Sequence, residues 1–522
     1  MLDCSPHART ASATIAGIER TQSTQLSYSP WPQMDSAQHL SITEAAIHRA
    51  QKSRSAMRAA EILLHIAIVV TLLHHFLPFI SLASFDLAQH YSLVDALAKY
   101  GHVSADQQNL ASMALYPSLS HRMAAIAGYF LHSSFLGISA VALISLYLSY
   151  LFLVGLMRRT AVYGLLPMTI LAIALWHSGS IVGWELIGNF FYAQLVGDVF
   201  FLGFLFWLAR DRATISVLCG TVALGWLTMW VQPLNALHIL GSGCVVLAYR
   251  CLAPDTSGSS RRTRILFFST CAVASALVVL LNPAYRFMKG VAQWNGGLTL
   301  GYTHITAVIA VCTFIALAAL WISRTRDAGP AGIAIACALL SACCLATLQF
   351  ALWRFASDGS PYAVKKHMFF VVTLGILNVS RLLTYRFAVP AAIYRVSAVC
   401  TPVLSIIGVW AVFSTFTFPV APILRAIDYA NSVAHIAGSR VVRGNGSIND
   451  TTLPLGVNLM IAISSFEFPW NAQAISWYTG ATPMGSGARY RMVDRASVVG
   501  ECLDESYLND RYVMIGPNCA IR

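Results

Sequence analysis

The chain has 522 residues, of which 57% are hydrophobic and only 11% are charged. A soluble globular protein carries about 25% charged residues, so this chain has too little charge to cover a water-facing surface. The composition therefore excludes a soluble enzyme, a disordered protein and a nucleic-acid-binding module. It indicates an all-α polytopic membrane protein, whose net charge of +12 comes from basic residues in cytoplasmic loops.

Apolar stretches predict about eleven transmembrane helices of roughly 20 residues each within residues 56–419. The predicted spans are 60–82, 133–156, 160–177, 189–208, 213–231, 235–252, 265–283, 301–322, 330–352, 367–385 and 391–418. Residues 1–55 are polar and predict a disordered cytoplasmic extension. Arginines follow every even-numbered span, which places the N-terminus inside, the large loop 83–132 outside and the end of the chain outside.

Residues 420–522 predict a small mixed α/β domain on the outer side of the membrane. Short alternating runs at Val457–Ile463 and Tyr512–Ile515 indicate strands. Cys502 and Cys519 would meet oxidising conditions there, and they either form a disulfide or stay as free thiols.

The large outer loop begins with a helical pattern. Apolar residues recur at helical spacing from Leu87 to Leu97, and Gly101 is a suitable C-terminal stop. We therefore predict an amphipathic helix lying on the membrane, with Asp86 and His90 on one face of it. Asp86 is either a functional carboxylate or the cap of an interfacial helix.

A second helix is predicted later in the same loop, after Tyr116 and Pro117, because proline is favoured at a helix start. His121 and Arg122 would lie near its first turn at the outer surface. They are either ligand-binding residues or simply the solvated start of that helix.

Basic residues also occur on the predicted outer side, against the usual inside bias. Arg286 and Lys289 lie in the loop after the seventh span, and Lys365, Lys366 and His367 lie at the start of the tenth. At headgroup depth such residues attract phosphate, so an anionic lipid headgroup is a reasonable ligand. The alternative is that they extend towards ordinary phospholipid without a specific role.

One carboxylate falls within a predicted span. Asp198 lies near the middle of the fourth span, where a charge is costly and is by default a functional candidate. It could instead be a hydrogen-bonded packing residue, since Gly197 beside it permits close helix approach. Glu185 lies in the short outer loop before this span and could face the same site as Asp86.

The order of these motifs resembles that of the C-type superfamily of integral-membrane glycosyltransferases, which use polyprenyl-phosphate-linked sugars. The resemblance covers roughly residues 60–390. The motifs that carry it are Asp86 with His90-Tyr91, Tyr116-Pro117 with His121, Gly188–Asp198 and Pro361–His367. Many members read Tyr-Pro-Pro-Gly-x-His, whereas this chain has Ser118-Leu119 in place of the Pro-Gly, and it has a lone Asp86 where many have paired acids.

The resemblance implies a role for each matching residue. Asp86 would be the carboxylate at the reacting centre, with His90 and Glu185 as secondary polar groups. Residues that would bind the lipid-linked substrate are Arg286, Lys289, Tyr362, Lys365, Lys366, His367, His121 and Arg122. Some members need a divalent metal and others do not, so the metal requirement stays open, and the sequence holds no His-Glu-x-x-His zinc motif.

Two other functions remain open from the residues alone. One is a different envelope-glycan polymerase or ligase, and the other is a transporter or a non-catalytic membrane protein. Under the glycosyltransferase interpretation the partners are the lipid bilayer and a polyprenyl-phosphate sugar donor, with no nucleic acid. The short loops and outer-face chemistry suit the plasma (inner) membrane of a bacterium.

Overall fold

The structure is a computed structural model. It describes 85–104, 110–160, 177–252, 260–292, 304–325, 329–386, 442–448, 466–468, 490–499, 506–507, 512–516 and a few isolated positions. The predicted extension 1–55 and the predicted spans 60–82, 160–177 and 391–418 lie wholly or almost wholly outside these residues.

The described part of the chain is mostly α-helical. Its helices are α1 Phe85–Tyr100, α2 Leu119–Phe130, α3 Ser134–Arg158, α4 Trp184–Gly188, α5 Tyr192–Leu208, α6 Thr214–Met229, α7 Pro233–Leu252, α8 Arg261–Leu281, α9 Pro283–Ala292, α10 Ile305–Thr325, α11 Gly329–Phe355 and α12 Pro361–Arg386. A short 3₁₀ helix, Ala111–Leu115, separates α1 from α2.

Six of the described helices, α3, α7, α8, α10, α11 and α12, are long and apolar enough to cross a membrane. Each corresponds to a predicted span. The predicted spans 189–208 and 213–231 correspond to α5 and α6, which are apolar but shorter. The chain therefore fits a helical multi-pass membrane protein, as the composition predicts.

Helices α11 and α12 form the centre of the bundle. Helix α11 packs against α7, α10 and α12. Most of the apolar part of α12 is buried inside the protein. The buried face of α11 consists largely of small residues, including Ala331, Gly332, Ala338 and Ala342. Small side chains let helix backbones approach closely. Such close packing favours helix association in a membrane, where the hydrophobic effect does not drive helices together.

Helix α1 forms where the sequence predicts it and is followed by Gly101 in the left-handed conformation, φ 72°. The prediction of an amphipathic helix that lies on the membrane surface is wrong, because nearly every residue from Leu87 to Leu97 is buried. The reason is that α1 packs against α2, α3 and α5 rather than lying alone. Helices α2 and α3 form a tight hairpin, since the backbone of α2 lies directly against Gly137.

The described residues of the C-terminal region include five short strands. They are β1 Val442–Ile448, β2 Phe466–Phe468, β3 Tyr490–Asp494, β4 Ser506–Tyr507 and β5 Tyr512–Ile515, in the sheet order β2-β1-β3-β5-β4. Strand β1 is parallel to both neighbours, and β5 is antiparallel to β3 and β4. The predicted strand Tyr512–Ile515 is present, whereas Val457–Ile463 lies outside the described residues except for a helical Met460. Cys519 is disulfide-bonded.

Candidate functional site

Polar side chains from four helices meet at the end of the bundle where α5, α7 and α12 begin. Gln194 lies in the first turn of α5, Asn235 in the first turn of α7, and Lys366 in the second turn of α12. Asp86 comes from the start of α1. Each is a polar residue near the beginning of its helix, so the packing of these helix ends assembles a buried polar cluster.

Lys366 lies at the centre of this cluster, with only 7% of its surface exposed. Its ammonium donates a hydrogen bond to Gln194 Oε1 at 2.9 Å and lies 2.8 Å from the centre of the Phe191 ring. Asp86, Asp198 and Glu185 all act on it electrostatically. A buried ammonium needs such partners, because an isolated charge in an apolar interior is very costly.

Asp86 faces Lys366 from α1, and part of the residue remains exposed. Desolvation raises the pKa of the Asp86 carboxyl to about 6, and the positive charge of Lys366 opposes that rise. Desolvation and the negative charge of Asp86 raise the pKa of Tyr116, and a hydrogen bond with Gln232 opposes that rise more weakly. A carboxyl with a pKa near neutrality can accept a proton at physiological pH and release it again.

Lys365 is also buried, and it forms an ion pair with Glu185 of the short helix α4. The Glu185 side chain is 32% exposed, whereas that of Lys365 is 5% exposed. The ion pair therefore lies at the edge of the cluster, where a ligand could reach it.

Asp198 lies one turn beyond Gln194 on α5. Its Oδ1 accepts a hydrogen bond from Asn235 Nδ2 at 2.6 Å. A Cβ on Gly197 would overlap the Asn235 side chain, so glycine permits this close approach of α5 and α7. Within the described residues, Asp198 Oδ2 and Asn235 Oδ1 have no hydrogen-bond partner.

Two pairs of histidines flank the lysines. His90 Nδ1 lies 2.9 Å from His121 Nε2, and His367 Nδ1 lies 3.1 Å from His238 Nε2. The His238 ring stacks on Phe370, with 3.7 Å between ring centres. All four histidines are buried. The prediction that His121 lies at the outer surface is wrong, because it is 0% exposed between α1 and α5.

The remaining predicted residues lie at the margin. Tyr362 contacts the cluster, since its ring centre is 5.1 Å from Lys366 Nζ. Arg122 is exposed and donates to the Gly101 carbonyl at 3.3 Å. Arg286 and Lys289 are exposed on α9, so the prediction that they lie in a loop is wrong: residues after Pro283 form an amphipathic helix.

Lys289 forms its ion pair outside the cluster, with Asp358 at 3.0 Å. The structure thus brings Asp86, Glu185, Lys365 and Lys366 together, and it places the basic residues of α9 apart from them.

Sequence reasoning missed several members of the cluster. Gln194, Asn235, Gln232 and His238 were not assigned any role, although each is a polar residue near the predicted outer end of a span. Neutral polar residues are common enough in membrane helices that this signal alone selects too many positions. Among the residues that the structure describes, no group of three His, Cys, Asp or Glu side chains could hold a metal ion.

The cluster contains two buried lysines, the buried Asp198 and two partly exposed carboxylates, Asp86 and Glu185. Such an arrangement can bind an anionic group by exchange with a carboxylate, and it can accept a proton at Asp86. No protein-family model matches the chain, and no curated protein matches it. A functional assignment therefore depends on the residues of this site.

Proposed function

We propose that the chain is a multi-pass membrane glycosyltransferase. It would transfer a sugar from a polyprenyl-phosphate donor to a hydroxyl of an envelope glycan, lipid or protein acceptor on the outer face. The observation that carries the proposal is that Asp86 and Lys366, which are 280 positions apart in the chain, lie close enough at one bundle end for their charges to interact. A base and a cation at one site are what this transfer requires.

Asp86 acts as the general base. It takes the proton of the acceptor hydroxyl, whose oxygen forms a new bond to the anomeric carbon of the sugar. The bond between that carbon and the phosphate oxygen breaks, and its electron pair leaves with the lipid phosphate. General bases of this kind contribute about 10²- to 10⁴-fold to rate.

The two lysines stabilise the leaving phosphate. Glu185 forms an ion pair with Lys365, so the incoming phosphate replaces that carboxylate as the partner of the lysine. Lys366 stays anchored by Gln194 while its charge acts on the developing negative charge. Fixed cations in a water-poor site stabilise such charge without reorganisation.

The topology forms part of the same proposal. About eleven spans with the N-terminus inside would place the cluster at the outer face of a bacterial plasma membrane and residues 420–522 outside it. The disulfide at Cys519 supports an oxidising compartment for this small α/β domain.

Transfer from a polyprenyl-phosphate sugar, measured in membranes holding the Asp86→Asn variant, tests the function. We expect a loss of about 100-fold or more. Asp95→Asn is the matched control, because Asp95 lies on the same helix but pairs with Lys99 at 2.6 Å. Full activity of folded Asp86→Asn protein would refute the assignment.

A proton-coupled transporter is the second candidate. It is favoured by Asp198, Asn235 and Lys366, which place charged and polar groups inside the apolar helices, with unpartnered atoms on Asp198 and Asn235. Intramembrane carboxylates often mark ion or proton pathways. Proton uptake into proteoliposomes that depends on Asp198 but not on Asp86 would favour transport over glycosyl transfer.

A further inference from the structure

Arginines gather at the end of the bundle opposite the Asp86–Lys366 cluster. Helices α5 and α7 begin at the cluster and run away from it, so their last turns lie together with the end of α3 and the start of α8. The described residues of this end include one acidic residue, the exposed Asp211. The basic residues there are Arg158, Arg159, Arg210, Arg212, Arg250, Arg261, Arg262 and Arg264.

Four of these arginines are connected to one another through backbone carbonyl groups. Arg159 and Arg212 donate to adjacent carbonyls in the last turn of α5, at 2.7 and 3.4 Å. Arg250 donates to the carbonyl of Arg212 at 2.8 Å, and Arg264 donates to the carbonyl of Arg250 at 2.9 Å. These four residues, named the arginine series here, join α3, α5, α7 and α8 at one bundle end.

The arginine series does more than cap helices. Basic side chains often satisfy the last carbonyl groups of a helix, and this accounts for the hydrogen bonds above. A guanidinium has five N–H groups, however, and Arg159, Arg212 and Arg250 each use a single nitrogen for their hydrogen bonds. All three are partly buried, and none of them forms an ion pair with a carboxylate among the described residues. Their remaining N–H groups are therefore available to an anion.

Aromatic rings fix the positions of two of these guanidiniums. The Cζ atom of Arg159 lies 3.7 Å from the centre of the Phe206 ring, and that of Arg212 lies 5.2 Å from the centre of the Trp207 ring. Desolvation and the positive charges of Arg210 and Arg212 lower the pKa of Arg159. Like charges therefore act on a fixed guanidinium, and a bound anion would compensate them.

Apolar side chains next to the arginine series indicate what kind of anion fits. Ile215, Leu252 and Ile265 follow members of the series closely in the chain, and all three are exposed. A free phosphate ion makes no use of such a surface. The acyl chains of a lipid would cover it while the phosphate group lies on the guanidiniums.

We propose that the arginine series binds the headgroup of an anionic phospholipid, with phosphate oxygens on the N–H groups of Arg159, Arg212 and Arg250. The planar guanidinium matches the geometry of phosphate oxygens, and basic pockets between membrane helices bind lipid headgroups in this way. A bias of basic residues towards one side of the membrane explains the number of arginines, but not their connection through four helices. The site is separate from the Asp86–Lys366 cluster and does not depend on sugar transfer.

Lipid binding by the full-length protein in detergent tests the site. The protein receives phosphatidylglycerol, which is anionic, or phosphatidylcholine, which has no net charge, and native mass spectrometry counts the lipids retained. Wild-type protein should bind phosphatidylglycerol with at least about tenfold higher affinity. Arg159→Gln and Arg212→Gln should each lower that affinity about fivefold. Two variants are needed because Arg159 makes the shorter hydrogen bond and its loss costs more stability.

Arg261→Gln combined with Arg262→Gln is the matched control, because both side chains are exposed and neither donates a hydrogen bond of the series. The affinity should then change by less than about twofold, since salt screens exposed charges. An equally large loss in this control, or equal affinity of the wild type for both lipids, would overturn the site. Full displacement of phosphatidylglycerol by inorganic phosphate at the same concentration would overturn the assignment to a lipid.

Discussion

Among its described side chains, helix α12 has three buried cations, Lys365, Lys366 and Arg381, and the surroundings of Lys366 and Arg381 differ. Lys366 near its beginning interacts with three carboxylates, an amide and an aromatic ring. Arg381 lies 15 residues further on, about 22 Å along the helix, and is only 2% exposed. Arg381 donates to the Gly332 carbonyl at 2.7 Å and to the Ser323 hydroxyl at 2.5 Å, which tie α12 to α11 and α10.

Under the proposed function, this difference distinguishes a charge that binds substrate from a charge that holds helices together. The two hydrogen-bond acceptors of Arg381 named above are a backbone carbonyl and a hydroxyl, which do not titrate near neutral pH. The partners of Lys366 include carboxylates that can exchange a proton or give way to another anion. Burial of a charge therefore does not by itself indicate a site, whereas burial among exchangeable partners does.

The largest expected effect follows from removing the charge of Lys366. Lys366→Gln should lower transfer by about 10²- to 10³-fold, because a fixed cation no longer stabilises the leaving phosphate. It also leaves Asp198 uncompensated. The double variant Lys366→Gln with Asp198→Asn should therefore restore thermal stability without restoring transfer. Recovery of both in the double variant would make the lysine structural, like Arg381.

Arg381→Gln should show the opposite pattern. The Gly332 carbonyl and the Ser323 hydroxyl lose a donor, and each unsatisfied buried group costs about 1–3 kcal/mol. We expect a lower unfolding temperature in detergent, while transfer per folded molecule stays within about twofold. A large loss of transfer in fully folded Arg381→Gln protein would show that Arg381, like Lys366, takes part in transfer and would contradict its structural role.

The pH dependence of transfer should report Asp86. Its pKa of about 6 means that the carboxyl is ionised above pH 6 and able to accept a proton, and protonated below it. Transfer should therefore fall as pH decreases through about 6, approaching a tenfold loss per pH unit, as expected for one required ionised group. The profile of kcat/KM between pH 5 and 8 provides the check, and a flat profile would exclude Asp86 as the base.

The smallest effect is expected at the edge of the cluster. Glu185→Gln frees Lys365 from its ion pair, so the KM for the donor should decrease by about two- to fivefold, in keeping with a partly exposed pair. Asp358→Asn is the control, because it releases Lys289 outside the cluster. An increase in donor KM in Glu185→Gln would instead make Glu185 a direct substrate ligand.

The sequence predicts the spans better than the site. Apolar length locates helices such as α3 and α11 within a few residues, because the membrane fixes how many apolar residues a crossing needs. Spacing also puts Asp86 and His90 on one helix face. It does not reveal that α1 is buried, since this depends on which helices surround it.

The contacts between distant residues are what sequence reasoning cannot supply. Lys366 meets Gln194, and Asp198 meets Asn235, through the packing of α5, α7 and α12. Arg286 looks as suitable as Lys365 in the sequence, because both are basic residues near the end of a span. Only the structure shows that Arg286 is exposed on α9, whereas Lys365 is buried beside Glu185.

Donor binding and sugar transfer, measured separately on the same reconstituted Asp86→Asn protein, test the central claim most directly. A labelled polyprenyl-phosphate sugar should bind within about threefold of wild type, because the lysines are unchanged, while single-turnover transfer falls about 100-fold or more. Transfer at the wild-type rate by folded, donor-bound Asp86→Asn protein would contradict the account.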